Sequence, residues 1–343
     1  MSSNPVILSL IVPMFNMQDY IGRCLDSVCG LPDGSGLEVI VINDGSTDSS
    51  LETARNYESA HPGTVRVLDK ANGNYGSCIN AGLKLVSGRF VKILDADDAL
   101  VPEELERFLT FLGSTDADAV ISDFETVTPD GRTTGRTIYH LPDKASLGDI
   151  TSLKDLWIHA VAYSTSIFRG MDYRQTEGIS YTDQEWLFLP MSRVRTACRF
   201  PGVLYRYTCG RKGQTTDPEV FVRSISQEIT GLKVMLAEYA AGEPWEEEAG
   251  RYLEFRLAAR MSAVYSMFLL YCPDKTDREE LLALDSFIRD NHPGLYAMSD
   301  GIEAPLKCIR FRYVASWRRN GFRRGPGHIL CSSYKKVRRF LLG

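Results

Sequence analysis

Apolar runs, each followed by a polar cluster, set the rhythm of the first hundred residues. Val6 to Val12 (VILSLIV) is apolar but for Ser9, and Pro13 lies behind it. Such a run reads as a strand buried on both faces of a parallel sheet. Tyr20, Cys24, Leu25 and Val28 then recur at helical spacing within 18–29. Leu37 to Ile42 (LEVIVI) is a second buried strand and runs into Asn43-Asp44-Gly45-Ser46-Thr47-Asp48. There Ser46 or Asp48 can cap a helix over 49–60. Val65 to Leu68 is a third strand, Asn72 to Gly76 a loop, and 77–86 a helix. Phe90 to Leu94 is a fourth strand and meets Asp95-Ala96-Asp97-Asp98. A helix over 103–112 and a short strand over 119–122 follow.

Strands alternating with helices at this interval predict an α/β fold: a doubly wound, mostly parallel sheet flanked by helices. Ligands of such sheets bind beyond the carboxyl ends of the strands. Pro13 to Asn16, Asn43 to Gly45, Lys70 to Gly73 and Asp95 to Asp98 all fall there. Four polar clusters therefore converge on one crevice. Three carboxylates in four positions are costly to bury without a counterion. They are either a solvated turn that caps the next helix or the oxygen donors of a divalent cation, Mn2+ or Mg2+, which suits a phosphorylated ligand. No G-x-G-x-x-G follows the first strand and no G-x-x-x-x-G-K-[ST] occurs. A nicotinamide site and a P-loop are thereby disfavoured.

Composition changes the picture in two places. The eight cysteines form no Cys-x-x-Cys pair. They read as reduced core thiols of a cytoplasmic protein. The net charge is −5, yet the stretch 307–343 holds eleven Lys and Arg and no Asp or Glu, with aromatics interleaved. An acidic body thus carries a basic aromatic tail. That tail suits the anionic inner face of a cell membrane, a solvated helix face or, least well, nucleic acid. No basic stretch followed by an apolar one opens the chain, so no signal peptide is expected. No uninterrupted apolar run is long enough to cross a bilayer.

Pro13-x-Phe15-Asn16, Asn43 to Asp48, Asn72 to Gly82 (NGNYGSCINAG) and Asp95-Ala96-Asp97-Asp98 together resemble the family 2 glycosyltransferases. The likeness extends over about 6–215, with the motifs in matching order. These are inverting enzymes of the GT-A fold that use nucleotide-diphosphate sugars. The resemblance implies a nucleotide-sugar site at Pro13, Phe15, Asp44, Asn72, Gly73, Asp95 and Ala96. Asp44 would accept from a base N–H, and Asp97 would hold the cation that bridges the diphosphate. Phe15 stands where the family often has Tyr. Lys70 reads as a solvated lysine, and Asp98 as a cap for the following helix.

Tyr181-Thr182-Asp183-Gln184-Glu185-Trp186 opens a helix expected over 183–191, and a carboxylate there is first an N-cap. It also resembles the family's acidic motif at the acceptor, which implies Asp183 as general base and Glu185 and Trp186 on the acceptor side. The loop 208–215 is rich in Gly, Arg and Lys. It reads either as an ordinary solvated turn or, as the resemblance implies, as a segment that closes over the diphosphate, with Arg211, then Lys212, as the phosphate contact. Residues 126–140 read as a hairpin or loop over the site, and 164–168 as a strand on the acceptor side.

The expected organisation is a catalytic domain over 1–216, a helical region over 217–306 and the tail over 307–343. The expected function is sugar transfer from a nucleotide-diphosphate sugar, UDP-linked by resemblance, to a glycan or lipid-linked acceptor in cell-surface polysaccharide assembly. The competing reading is a non-catalytic scaffold of the same fold that binds a nucleotide sugar or a membrane.

Overall fold

The computed structural model describes residues 5–32, 35–153, 155–211, 214, 225–242, 244–271, 275–303 and 312–321; for 225, 270, 271 and 275–277 it describes the backbone alone. The chain divides into two compact units, Met1–Asp217 with Trp245–Tyr252, and Pro218–Pro244 with Leu253–Gly343.

The first unit is built on one mixed nine-stranded sheet. Its parallel part is built around β1 (Leu8–Met14), every residue of which is buried. Parallel β2 (Leu37–Asn43) and β3 (Val65–Asp69) extend the sheet on one side, and parallel β4 (Phe90–Ile93) pairs on the other. Helices α1 (Ile21–Cys29), α2 (Ser50–Ala60) and α3 (Asn74–Leu83) make the crossovers between these strands. Burial on both faces explains why β1, β2 and β4 read as near-continuous apolar runs, whereas β3 exposes Arg66 and Asp69. Each buried Leu, Ile or Val contributes about 1.5–3 kcal/mol relative to exposure. The order β3-β2-β1-β4 reverses direction at β1. β4 pairs with β1 only as far as Ile11, so the ends of the two strands part and leave a crevice between them.

Beyond β4 the sheet turns mixed. A two-residue strand, β5 (Ala99–Leu100), and α4 (Pro102–Ser114) precede a long β6 (Ala119–Val127), which is hairpinned to β7 (Thr133–Thr137). A short α5 spans Leu147–Thr151 and is closed by a Ser146–Asp149 capping box. β8 (Val161–Ser164) lies antiparallel between β4 and β6. A β9 of twelve residues, Ala197–Thr208, pairs parallel with β6 and antiparallel with β5. Strand length sets the largest departures from the sequence reading. β6 reaches five residues past Ser122, and β9 starts six residues before Val203, because each pairs with the other through bulges. Residues 165–168 form a 3-10 turn rather than part of a strand. The expected helix over 183–191 is two pieces, α6 (Asp183–Trp186) and α7 (Leu189–Ser192). Phe188 departs from helical geometry with ψ −92°, and Pro190 has no N–H for a continuing ladder.

The second unit is helical: α8 (Ile225–Ala241), the later part of α9 (Glu247–Tyr271), α10 (Lys275–Asn291), α11 (Pro293–Ser299) and α12 (Tyr313–Asn320). A buried Arg260–Glu228 pair ties α9 to α8. α12 is the only part of the basic tail among the described residues with regular helix. It buries Tyr313, Val314 and Trp317. Arg318 is paired with Asp285 at 2.6 Å and Asp300 at 2.8 Å and covers the Tyr296 ring. These groups are therefore interior contacts, which corrects their reading as a surface for bilayers; Arg312 and Arg319 are exposed. The other tail cations lie outside the described residues. Among the described residues no helix is long and apolar enough to cross a membrane.

Candidate active site

The crevice is framed first by backbone. Asn16, just past β1, adopts φ 52°, a left-handed conformation that Asn tolerates. Its Oδ1 accepts from Thr47 N at 2.8 Å, and its own N–H donates to Ser46 Oγ at 3.0 Å. The loops after β1 and β2 are thus stitched together. Asp48 accepts from Ser50 N at 3.0 Å and from Gln18 N at 3.1 Å, so it serves the start of α2 and the first loop at once. Pro13 is buried inside β1, whereas Phe15 is 44% exposed.

Asp44 is 2% exposed. Its Oδ1 accepts from Lys70 Nζ at 2.5 Å and Gly73 N at 2.9 Å, with Ser77 Oγ at 3.5 Å. The Cys78 thiol also lies close enough to hydrogen-bond this carboxylate. Lys70 also donates to Ala71 O and Ser77 Oγ. It is therefore a partner of Asp44 rather than a solvated lysine. Asn72 Nδ2 donates to Asp44 O at 2.9 Å. Gly73 is required by space, since a Cβ there would lie 2.7 Å from Ser77 Oγ.

α3 carries this cluster to the next. Tyr75, in its first turn, donates its hydroxyl to Asp95 Oδ1 at 2.8 Å. Burial first, then Asp97 and Asp183, push the Asp95 carboxyl up to about 7. Burial, then Asp95 and Asp183, push the Tyr75 hydroxyl up as well. Asp183 therefore lies close enough to act on both. It opens α6 and is itself exposed. Tyr75 of α3 thus contacts Asp95 in the loop after β4, with Asp183 of α6 within electrostatic reach of both.

Asp97 is 8% exposed and pairs with Arg211 Nε at 2.5 Å. Arg211 lies over the Tyr20 ring, 5.5 Å from its centroid. Gly210, at φ 90°, turns the chain after β9, and Gln214 fastens the turn through Thr208 O and Gly210 N. Lys212 lies outside the described residues. Ala96 is buried between the carboxylates. Asp98 caps nothing: α4 has Val101 at its N-cap with no side-chain bond. Asp98 is fully buried and accepts from Thr208 N at 2.7 Å and Tyr205 Oη at 2.6 Å. It locks β9 to the β4 loop, and burial pushes its pKa up.

Glu185 and Trp186 are interior. Glu185 Oε2 accepts from Thr176 N at 2.7 Å and so holds the loop before α6. Trp186 is fully buried against Tyr163, Phe168 and Tyr173. Neither presents a surface to an acceptor, which corrects their acceptor-side reading. Among the described residues no three His, Cys, Asp or Glu side chains form a cage for a metal ion. The five described cysteines are free thiols.

Residues 9–173 match the family described as glycosyl transferase family 2. The chain carries a family 2 glycosyltransferase domain. A segment of 111 residues is 37% identical to the uncharacterized glycosyltransferase YibD of Escherichia coli, 32% of this chain and 32% of that protein. Another of 126 residues is 36% identical to the chondroitin synthase of Pasteurella multocida, 36% of this chain and 13% of that protein. The matches thus span about a third or less of these relatives. Among solved structures, Staphylococcus aureus TarS residues 1–349 in complex with UDP-GlcNAc has the same fold. The TM-score is 0.69 at 20% identity, over 91% of this chain and 87% of that one. Asp183 and Arg211 lie beyond the segment that matches the family.

Three residues of the glycosyltransferase domain's site carried no signal in the sequence. Arg23 of α1 donates to Asp97 O at 2.7 Å, Thr208 Oγ1 at 3.0 Å and Pro129 O at 3.1 Å. A lone Arg on an amphipathic helix reads as solvated, so only the fold reveals it as a strut. Tyr205 Oη both donates to Asp98 and accepts from Asp95 N. Tyr75 lies within the Asn72 to Gly82 motif, but its reach to Asp95 depends on the close approach of α3 to the end of β4.

Proposed function

We propose that the chain is an inverting glycosyltransferase. It moves a sugar from a nucleotide-diphosphate sugar, UDP-linked, to a hydroxyl of a glycan or lipid-linked acceptor in cell-surface polysaccharide assembly. The observation that carries the reading is the Tyr75–Asp95 contact, with Asp183, Asp97 and Arg211 all within electrostatic reach of Asp95. The matches to glycosyltransferases, and the UDP-GlcNAc complex of TarS, support the donor class.

The nucleobase stacks on exposed Phe15, and its N–H donates to the Asp44 carboxylate. Lys70 and Gly73 hold Oδ1 and fix the carboxylate for that task. Asp183 takes the proton of the acceptor hydroxyl as that oxygen attacks the anomeric carbon. The bond from that carbon to the diphosphate oxygen breaks, and the configuration inverts. Arg211 turns from Asp97 to the departing diphosphate. Asp97, with Asp95, fits a mode in which one or two carboxylates plus substrate phosphates hold Mn2+ or Mg2+. That Asp97 already binds a cationic group is in keeping with this fit. The metal, when bound, neutralises charge on the diphosphate. The exposed tail cations Arg312 and Arg319 add peripheral binding to the inner face of the cell membrane.

The test is a calorimetric screen of UDP-, GDP- and dTDP-sugars with Mn2+, followed by analysis of the anomeric configuration of the product. Failure of every donor to bind, or a retained configuration, overturns the proposal.

A further inference from the structure

With Trp186 in the core, another tryptophan is left facing solvent. Trp157 is 46% exposed. It is nonetheless held on several sides. Its ring stacks on His159 at 5.7 Å and 22°, lies 6.2 Å from Tyr207, and meets the edge of Phe124 at 6.4 Å. Its backbone N–H donates to Tyr139 Oη at 3.4 Å, and that hydroxyl donates to Asp155 O at 2.9 Å. Among the described residues its indole N–H has no protein acceptor.

Buried rings connect Trp157 to the carboxylates. His159 stacks on Tyr205 at 4.8 Å and on Tyr207 at 4.9 Å. The Tyr205 hydroxyl bonds Asp98 and the Asp95 backbone. Trp157 is therefore two ring contacts from the Asp95 loop. His159 is 3% exposed, and its Nε2 is buried without a hydrogen-bond partner among the described residues. Burial, and then nearby Lys92, keep the imidazole neutral at ordinary pH. With His159 and Tyr205 buried beneath it, Trp157 itself presents the uncharged aromatic face, with its indole donor at the rim.

We propose that Trp157 is an acceptor subsite that stacks a pyranose ring of the acceptor glycan beside the transfer site. The proposal rests on the glycosyltransferase reading, which requires a hydroxyl-bearing acceptor near Asp95 and Asp183. The C–H face of a pyranose is apolar and matches an aromatic face, while its equatorial hydroxyls can accept from the indole N–H. A rigid, pre-positioned ring loses little conformational freedom on binding. A lipid tail or a protein segment would use the apolar face but would have less use for the indole donor.

The test uses the full chain as wild type, Trp157→Ala and Trp157→Phe, with chitotetraose, a hyaluronan tetrasaccharide and a chondroitin tetrasaccharide as probes. Indole N–H resonances are followed by NMR, with Trp157→Phe assigning the Trp157 signal. At least one oligosaccharide should shift that signal. Trp157→Ala should weaken its binding at least tenfold and Trp157→Phe only a few-fold, with UDP-GlcNAc affinity and melting temperature unchanged. Three outcomes overturn the proposal: no oligosaccharide binds a wild type that binds UDP-GlcNAc, binding leaves the Trp157 signal unmoved, or Trp157→Ala binds as wild type does. A wild type that binds no nucleotide sugar fails the parent reading instead, and the Trp157 measurement is read apart from it.

Discussion

Arg211 Nε lies 2.5 Å from Asp97 Oδ2, and both side chains are close to nine-tenths buried. A cationic side chain thus occupies the carboxylate that the transfer reading assigns to a divalent ion. Arg211→Ala leaves Asp97 without its partner, and a buried uncompensated carboxylate binds a cation more tightly. Isothermal titration of donor-free Arg211→Ala with Mn2+ should show several-fold tighter binding than wild type, while turnover falls. Equal Mn2+ affinity in the two proteins would mean that Arg211 and the ion do not compete.

Asp183 is exposed at the start of a four-residue helix, so its substitution should leave the fold intact. General-base catalysis contributes about 10²–10⁴ in rate. Asp183→Asn should lose turnover on that scale and keep the donor affinity of wild type. Transfer measured under single-turnover conditions checks this, and unimpaired transfer places the base elsewhere.

Gly76 holds the loop before Asp183 against α3. A Cβ at this position would lie 2.2 Å from Thr176 O and 3.0 Å from Gln175 Cβ. The backbone carbonyl cannot yield as a flexible side chain would. Gly76→Ala should cost about 1–3 kcal/mol, visible as a lower melting temperature. It should also slow transfer by shifting residues 175–183. A variant with wild-type stability and rate would show that this loop moves freely.

Lys92 is fully buried in β4, where its Nζ donates to His159 O at 2.5 Å. Burial lowers its pKa from 10.5 to about 7. Between these values the unfolded chain holds a proton that the folded chain has released, so stability rises with pH from about 7 to 10.5. Below 7 both states are protonated and the penalty is constant. The stability of Lys92→Met relative to wild type should therefore shrink across that alkaline window. His159, lowered by burial to about 3 from 6.5, adds a loss of stability as pH falls between those two values. Urea midpoints measured from pH 4 to 10 check both limbs; flat differences between the two proteins would put the Lys92 amine in water.

The sequence by itself determined the parallel half of the sheet and the rim of the crevice. Strands buried on both faces must be apolar throughout, so β1, β2 and β4 announce themselves, and each polar cluster behind them is placed by its strand. Asp44, Asp95 and Asp97 were legible for that reason. What the sequence left open was decided by contacts between segments far apart in the chain. Nothing in a helical Arg, a Tyr in β9 or a Lys beside a loop states its partner. Only packing turns Arg23, Tyr205 and Lys70 into supports for Asp97, Asp98 and Asp44. The same holds for the tryptophans: an aromatic residue stacks equally well on a sugar or on a neighbour, and tertiary structure alone buried Trp186 and left Trp157 exposed.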